Sequence, residues 1–124
     1  MLRWVLVGCG GFVGSVARYA LSGIVQRWAD TAFPLGTLAV NVAGSFILGL
    51  VAALALERNL IGPETRLLLA VGFCGGFTTM STLSYETLAL LREAGYGAAL
   101  GNVTLSIVAC LTAVWLGDAL GRLL

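Results

Sequence analysis

The sequence predicts an all-α membrane protein of four transmembrane helices, and three observations carry that expectation. The 124 residues are 59% hydrophobic and only 10% charged, where an ordinary soluble domain has about 25% charged residues. Four apolar segments, roughly 4–26, 36–56, 67–91 and 98–117, approach or exceed the ~20 residues that cross a bilayer as a helix. Short polar connections separate them: QRWADTAFP, ERNLIGPET and LREAGYG. So few charges could not solvate the surface of a soluble domain. The chain reads as a single four-helix transmembrane domain, 1–124, without a low-complexity tract or a repeat of fixed period.

Segment one is too long for the apolar region of a signal peptide, carries Arg18 inside it, and is followed by three further spans. Its stretch GCGGFVG is not a nucleotide loop, because Val13 follows Gly8-x-Gly10-x-x and no strand precedes it. The small residues instead recur four apart: Gly10 and Gly14, Gly11 and Ser15, and elsewhere Ala39 and Ala43, Gly97 and Gly101. Such spacing lets membrane helices approach closely. Both prolines, Pro34 and Pro63, fall in connections, where a missing N–H costs no helix.

Segment two places Thr37, Asn41 and Ser45 at i, i+4 and i+8, on one helical face. An amide in hydrocarbon must find partners or lose several kcal/mol. Asn41 is therefore either glue between helices or part of a polar path. Segment four carries Asn102, Ser106 and Cys110 on one face and Thr104 and Thr112 on another.

Segment three is interrupted by GFCGGFTTMSTLSYE, residues 72–86, and predicts a helix broken in mid-membrane. Gly72, Gly75 and Gly76 are expected to take the non-helical torsions. Thr78, Thr79, Ser81 and Thr82 are expected to bond the freed backbone groups. Non-helical backbone at membrane depth survives only when buried in protein or facing an aqueous path, and a broken helix exposes groups that hold ions. Carbonyls suit a hard cation, while hydroxyl and amide donors suit an anion. With no His, and no nucleophile or transition-metal motif, the chemistry on offer is ion coordination and not enzymatic catalysis. Glu86 and Arg18 are the charges clearly inside spans, and such charges are functional candidates by default.

The net charge of +1 argues against a nucleic-acid partner, and Cys9, Cys74 and Cys110 read as small buried hydrophobes. All seven basic residues are Arg. Arg3, Arg58, Arg66 and Arg122 belong to one side of the membrane and Arg27 and Arg92 to the other, with Arg18 within the span. This bias is weak by the positive-inside rule. It leaves open both a fixed topology and antiparallel pairing of identical subunits.

Three motifs in order, GGFVGSVARY, PLGTLAVNVAGSFILG and GFCGGFTTMSTLSYE, resemble the small dual-topology fluoride channels, the CrcB or Fluc family. The resemblance covers nearly the whole chain. It implies an antiparallel homodimer of four-helix subunits in the inner (plasma) membrane, with two pores passing fluoride out of the cell. It also implies a structural sodium ion at the dimer centre, held by the backbone carbonyls of Gly75 and Thr78. Arg18 matches a vestibule arginine and Asn41 the pore asparagine. Ser81, Thr82 and Ser106 match a polar track, with Thr37 and Asn102 as further candidates on the pore. The family's motif usually reads TTFSTF, and its phenylalanines offer ring edges to the ion. Here Met80 and Leu83 stand in those pore positions, and Asn102 stands where an aromatic is common.

Two rivals are weaker. A small multidrug-type exporter, coupling protons to cations, needs a carboxylate in segment one, which has none; Glu86 lies near the far end of segment three. A membrane scaffold would not need polar stripes on several helices beside a glycine-rich break.

Overall fold

Lipid cannot satisfy backbone polar groups, so each apolar segment closes its own hydrogen bonds as a helix. The computed structural model describes all residues, Met1–Leu124. Its helices are α1 (Leu2–Ala29), α2 (Leu35–Ala52), α3 (Pro63–Arg66), α4 (Gly75–Phe77), α5 (Met80–Glu93) and α6 (Tyr96–Leu123). Wider π-helical turns, Ala53–Glu57 and Leu67–Cys74, continue α2 and α3. Together they form four segments long and apolar enough to cross a membrane: Leu2–Ala29, Leu35–Glu57, Pro63–Glu93 and Tyr96–Leu123.

The helices outrun the expected spans, and the connections are correspondingly shorter. Hydropathy marks the stretch that fits hydrocarbon, about 30 Å thick. A helix of 28 residues, such as α1 or α6, is about 42 Å long. Four of the nine residues of QRWADTAFP and five of the seven of LREAGYG are helical, and Pro63 opens α3, where its missing N–H would be unpaired anyway.

Gln26, near the end of α1, holds the first connection. Its Nε2 donates to the carbonyls of Thr31 (2.7 Å) and Phe33 (3.1 Å), and its Oε1 accepts the N–H of Gly36 at 3.0 Å. The chain turns beneath this clamp through Asp30, in the left-handed region at φ 46°. Gly95, at φ 93°, makes the tight passage from α5 to α6.

α2 lies along α6, α1 packs against Leu67–Cys74 and α4, and α5 packs on α6. Glycines make the two main crossings. A Cβ at Gly49 would strike the Val114 carbonyl, and one at Gly117 the Phe46 carbonyl. On the other side, a Cβ at Gly10 would strike the Leu68 carbonyl and one at Gly14 the Phe73 carbonyl. Gly10 and Gly14 thus perform the close approach their spacing predicts. Gly97 and Gly101 do not do so within the chain: an added Cβ at either meets nothing within 4 Å.

Candidate ion-binding site

The third segment leaves helical geometry at two residues. Thr78 (φ −89°, ψ 157°) and Thr79 (φ −151°, ψ 118°) are extended, between α4 and α5. The expectation that Gly72, Gly75 and Gly76 would take the non-helical torsions is wrong. Gly72 lies in the π-helical turns, and Gly75 and Gly76 are in α4. Two of these glycines serve close approach instead. Gly72 lies against Gly10 and Val7, and a Cβ on Gly76 would strike the Gly11 carbonyl.

In an uninterrupted helix each N–H bonds the carbonyl four residues back. Here Asn41, on α2, intervenes. Its Oδ1 accepts the N–H of Thr79 at 2.7 Å, and its Nδ2 donates to the Thr79 carbonyl at 3.1 Å. The amide thus clamps both polar groups of one residue and uses one of its own two N–H groups to do so. The Thr79 hydroxyl caps α5 by accepting the N–H of Thr82 at 3.2 Å. These two diversions deprive Gly75 and Thr78 carbonyls of their helical partners. The Thr78 hydroxyl donates back to the Cys74 carbonyl at 2.9 Å. Arg18, reaching across from α1, donates its Nε to the Gly76 carbonyl at 3.0 Å.

A cavity of about 660 Å³ lies beside the interruption. Asn41, Met80, Leu83 and Ser106 line it, and so do Gly75 and Thr78. Ser106 is 2% exposed, yet its hydroxyl has no partner within the chain. Met80 is 74% exposed on the open side, whereas Leu83 is buried.

The other expected pore residues are engaged elsewhere. The Ser81 and Thr82 hydroxyls cluster on Thr79 Oγ1, at 3.3 and 3.1 Å. Thr37, buried on α2, donates to Glu86 Oε1 at 2.8 Å, while Glu86 Oε2 is buried without a partner in the chain. Asn102 is buried on α6 and donates to Thr87 Oγ1 at 2.9 Å; that hydroxyl donates to the Leu83 carbonyl at 2.7 Å. Sequence reasoning missed Thr87 and Gln26, which carry no spacing signal. It also expected three buried cysteines, whereas Cys9 is exposed and Cys110 half-buried.

The fold and the site define a small multi-pass membrane protein whose inward polar groups suit ion coordination. A family model described as "CrcB-like protein, Camphor Resistance (CrcB)" matches residues 5–118. The chain is 49% identical over 119 residues to a fluoride-specific ion channel FluC of Opitutus terrae, covering 94% of this chain and 90% of that one. It is 50% identical over 112 residues to the FluC of Geobacter sulfurreducens, with 90% of each chain covered. With the FluC of Nitratidesulfovibrio vulgaris it shares 46% identity over 123 residues, 99% of each. The chain belongs to the CrcB family, as its motifs implied, and is a transport protein rather than an enzyme. Membership leaves the multidrug-type exporter without support.

Proposed function

We propose that the chain is a fluoride-selective channel that works as an antiparallel homodimer with two pores and exports fluoride passively. The observation that carries this reading is the cavity beside the interrupted segment. Its lining includes Asn41, which has one amide N–H left over from its clamp on Thr79, and Ser106, whose buried hydroxyl has no partner in the chain. Fluoride is small and its charge dense, so it gains most from close N–H and O–H donors as it sheds water. Chloride is larger and cannot reach all of them at once. Met80 and Leu83 on the same cavity offer the ion less than aromatic edges would, so the polar donors carry more of the dehydration cost. A cell interior held negative drives an anion outward by about 2.3 kcal/mol per charge for each 100 mV. No coupled ion is needed.

The carbonyls of Gly75 and Thr78, deprived of helical partners, fit the structural sodium ion that the family resemblance implies. Oxygen donors suit a hard monovalent cation, and Gly75 is exposed, so a second copy can approach it. A sodium ion bound there would supply the positive charge that offsets carbonyls of both copies at the centre of the dimer.

Purified protein in liposomes loaded with potassium fluoride or, in a parallel set, potassium chloride, and opened to potassium by an ionophore, tests the reading with fluoride and chloride electrodes. Fluoride leaves much faster than from protein-free liposomes, and chloride does not. Equal release of both halides, or release at the protein-free rate, refutes it.

A further inference from the structure

We propose that Arg18 is a positioning residue for the cation site: its Nε holds the Gly76 carbonyl so that the flanking carbonyls of Gly75 and Thr78 are left to the cation. The inference rests on the sodium reading above and deepens it.

The interruption releases the four carbonyls of residues 75–78 from their helical partners, and Gly76 is the one for which α1 supplies a donor. α1 and α4 approach closely enough for this because their contact is glycine against backbone. A Cβ at Gly14 would meet the Phe77 backbone nitrogen at 3.0 Å, and a Cβ at Gly76 the Gly11 carbonyl and, at 3.0 Å, the Ser15 hydroxyl. Arg18 lies one helical turn beyond Gly14 on the same face. A charged donor on a half-buried carbonyl is the stronger kind of hydrogen bond. Released from it, the Gly76 peptide is free to turn beside its neighbours, since Met80, four residues on, opens α5. The number of carbonyls facing a cation, and their freedom to move, bear on which monovalent cation they hold. Arg18 thereby lowers that number by one. A guanidinium is also an odd neighbour for a cation site unless its work there is to take a carbonyl away.

The atom that matters is Nε, and substitutions separate it from the charge. In Arg18→Gln the side-chain amide nitrogen occupies the same place along the chain as Nε, keeping the donor and removing the charge. Arg18→Lys keeps the charge but has a methylene there, and Arg18→Met has neither. Purified full-length dimers of parent and variants are heated in detergent at fixed ionic strength, with sodium titrated against potassium. The readout is the sodium concentration that half-saturates the rise in melting temperature. We expect parent and Arg18→Gln to agree within about threefold, and Arg18→Lys and Arg18→Met to need about tenfold more sodium, the size of a charged hydrogen bond. Either of the last two suffices if the other does not fold. If Arg18→Lys matches the parent while Arg18→Gln weakens, or if all variants shift together or none shifts, the positioning role is overturned. If the parent itself shows no preference for sodium over potassium, the sodium reading falls and this proposal with it.

Discussion

Asn41 shows how much one side chain settles. It meets the N–H and the carbonyl of Thr79 together, so the two extended residues are held from α2 and not by their own helix. Asn41→Asp keeps the acceptor for the Thr79 N–H but sets a carboxylate oxygen against the Thr79 carbonyl and places negative charge on the cavity wall. Loss of one buried hydrogen bond of this kind costs about 1–3 kcal/mol. The expected outcome is a dimer less stable by that amount, read by denaturation in detergent, with fluoride efflux reduced to the liposome background. Parental stability and parental flux together would remove Asn41 from both the interruption and the pore. The importance of Asn41 is legible in the sequence because an amide inside an apolar run must be answered by something. Its partner is not legible, because Thr79 lies 38 residues away and no periodicity connects them. The non-helical torsions fall at Thr78 and Thr79 rather than at Gly72, Gly75 and Gly76 for a related reason. Glycine reports what a backbone is permitted, whereas the neighbouring amide of Asn41 decides where the helix opens.

Between elements, the crossings depend on backbone meeting backbone. At Gly117 and Gly49 the atoms in the way are main-chain carbonyls of Phe46 and Val114, which cannot swing aside as a side chain would. Gly101 sits in the same helix as Gly117 with open space around it. Gly117→Ala should therefore force α6 away from α2 and cost roughly 1–3 kcal/mol, the usual range for overpacking a tight interior. Gly101→Ala should leave the folded subunit intact and gain up to about 1 kcal/mol from the lower backbone entropy of alanine. Melting temperatures of the two variants in detergent check the pair, and equal effects would mean that the α2–α6 contact is looser than its geometry. Four helices and their order were readable from hydropathy alone. Which glycines face a neighbour was not, since four-residue spacing is shared by Gly10 and Gly14, which pack, and by Gly97 and Gly101, which do not within one chain.

At the scale of the molecule, one chain is a poor shape for a membrane. Only 23 of its 124 residues are buried, and the cavity that gathers Asn41, Thr78 and Ser106 opens to the outside. Lipid there would leave the Gly75 and Thr78 carbonyls without partners, and water at that depth would need a wall that a single chain does not provide. In the proposed dimer a second copy laid over the cavity would supply that wall. Isologous pairing would bring each open face onto its equivalent. The seven arginines are only weakly biased between the two sides, which is compatible with the antiparallel pairing proposed above. Single cysteines on a background freed of Cys9, Cys74 and Cys110 test this. One replaces Gly62 in the second connection, and the other Ala94 in the third, at opposite ends of the spans. A thiol reagent that cannot cross the membrane is applied to sealed vesicles, then again after permeabilisation. Antiparallel pairs give about half labelling before opening at both positions, because each dimer presents one copy of each end to each side. A fixed orientation gives nearly complete labelling at one position and almost none at the other, and that pattern would rule out the antiparallel dimer and with it the shared cation site at Gly75 and Thr78.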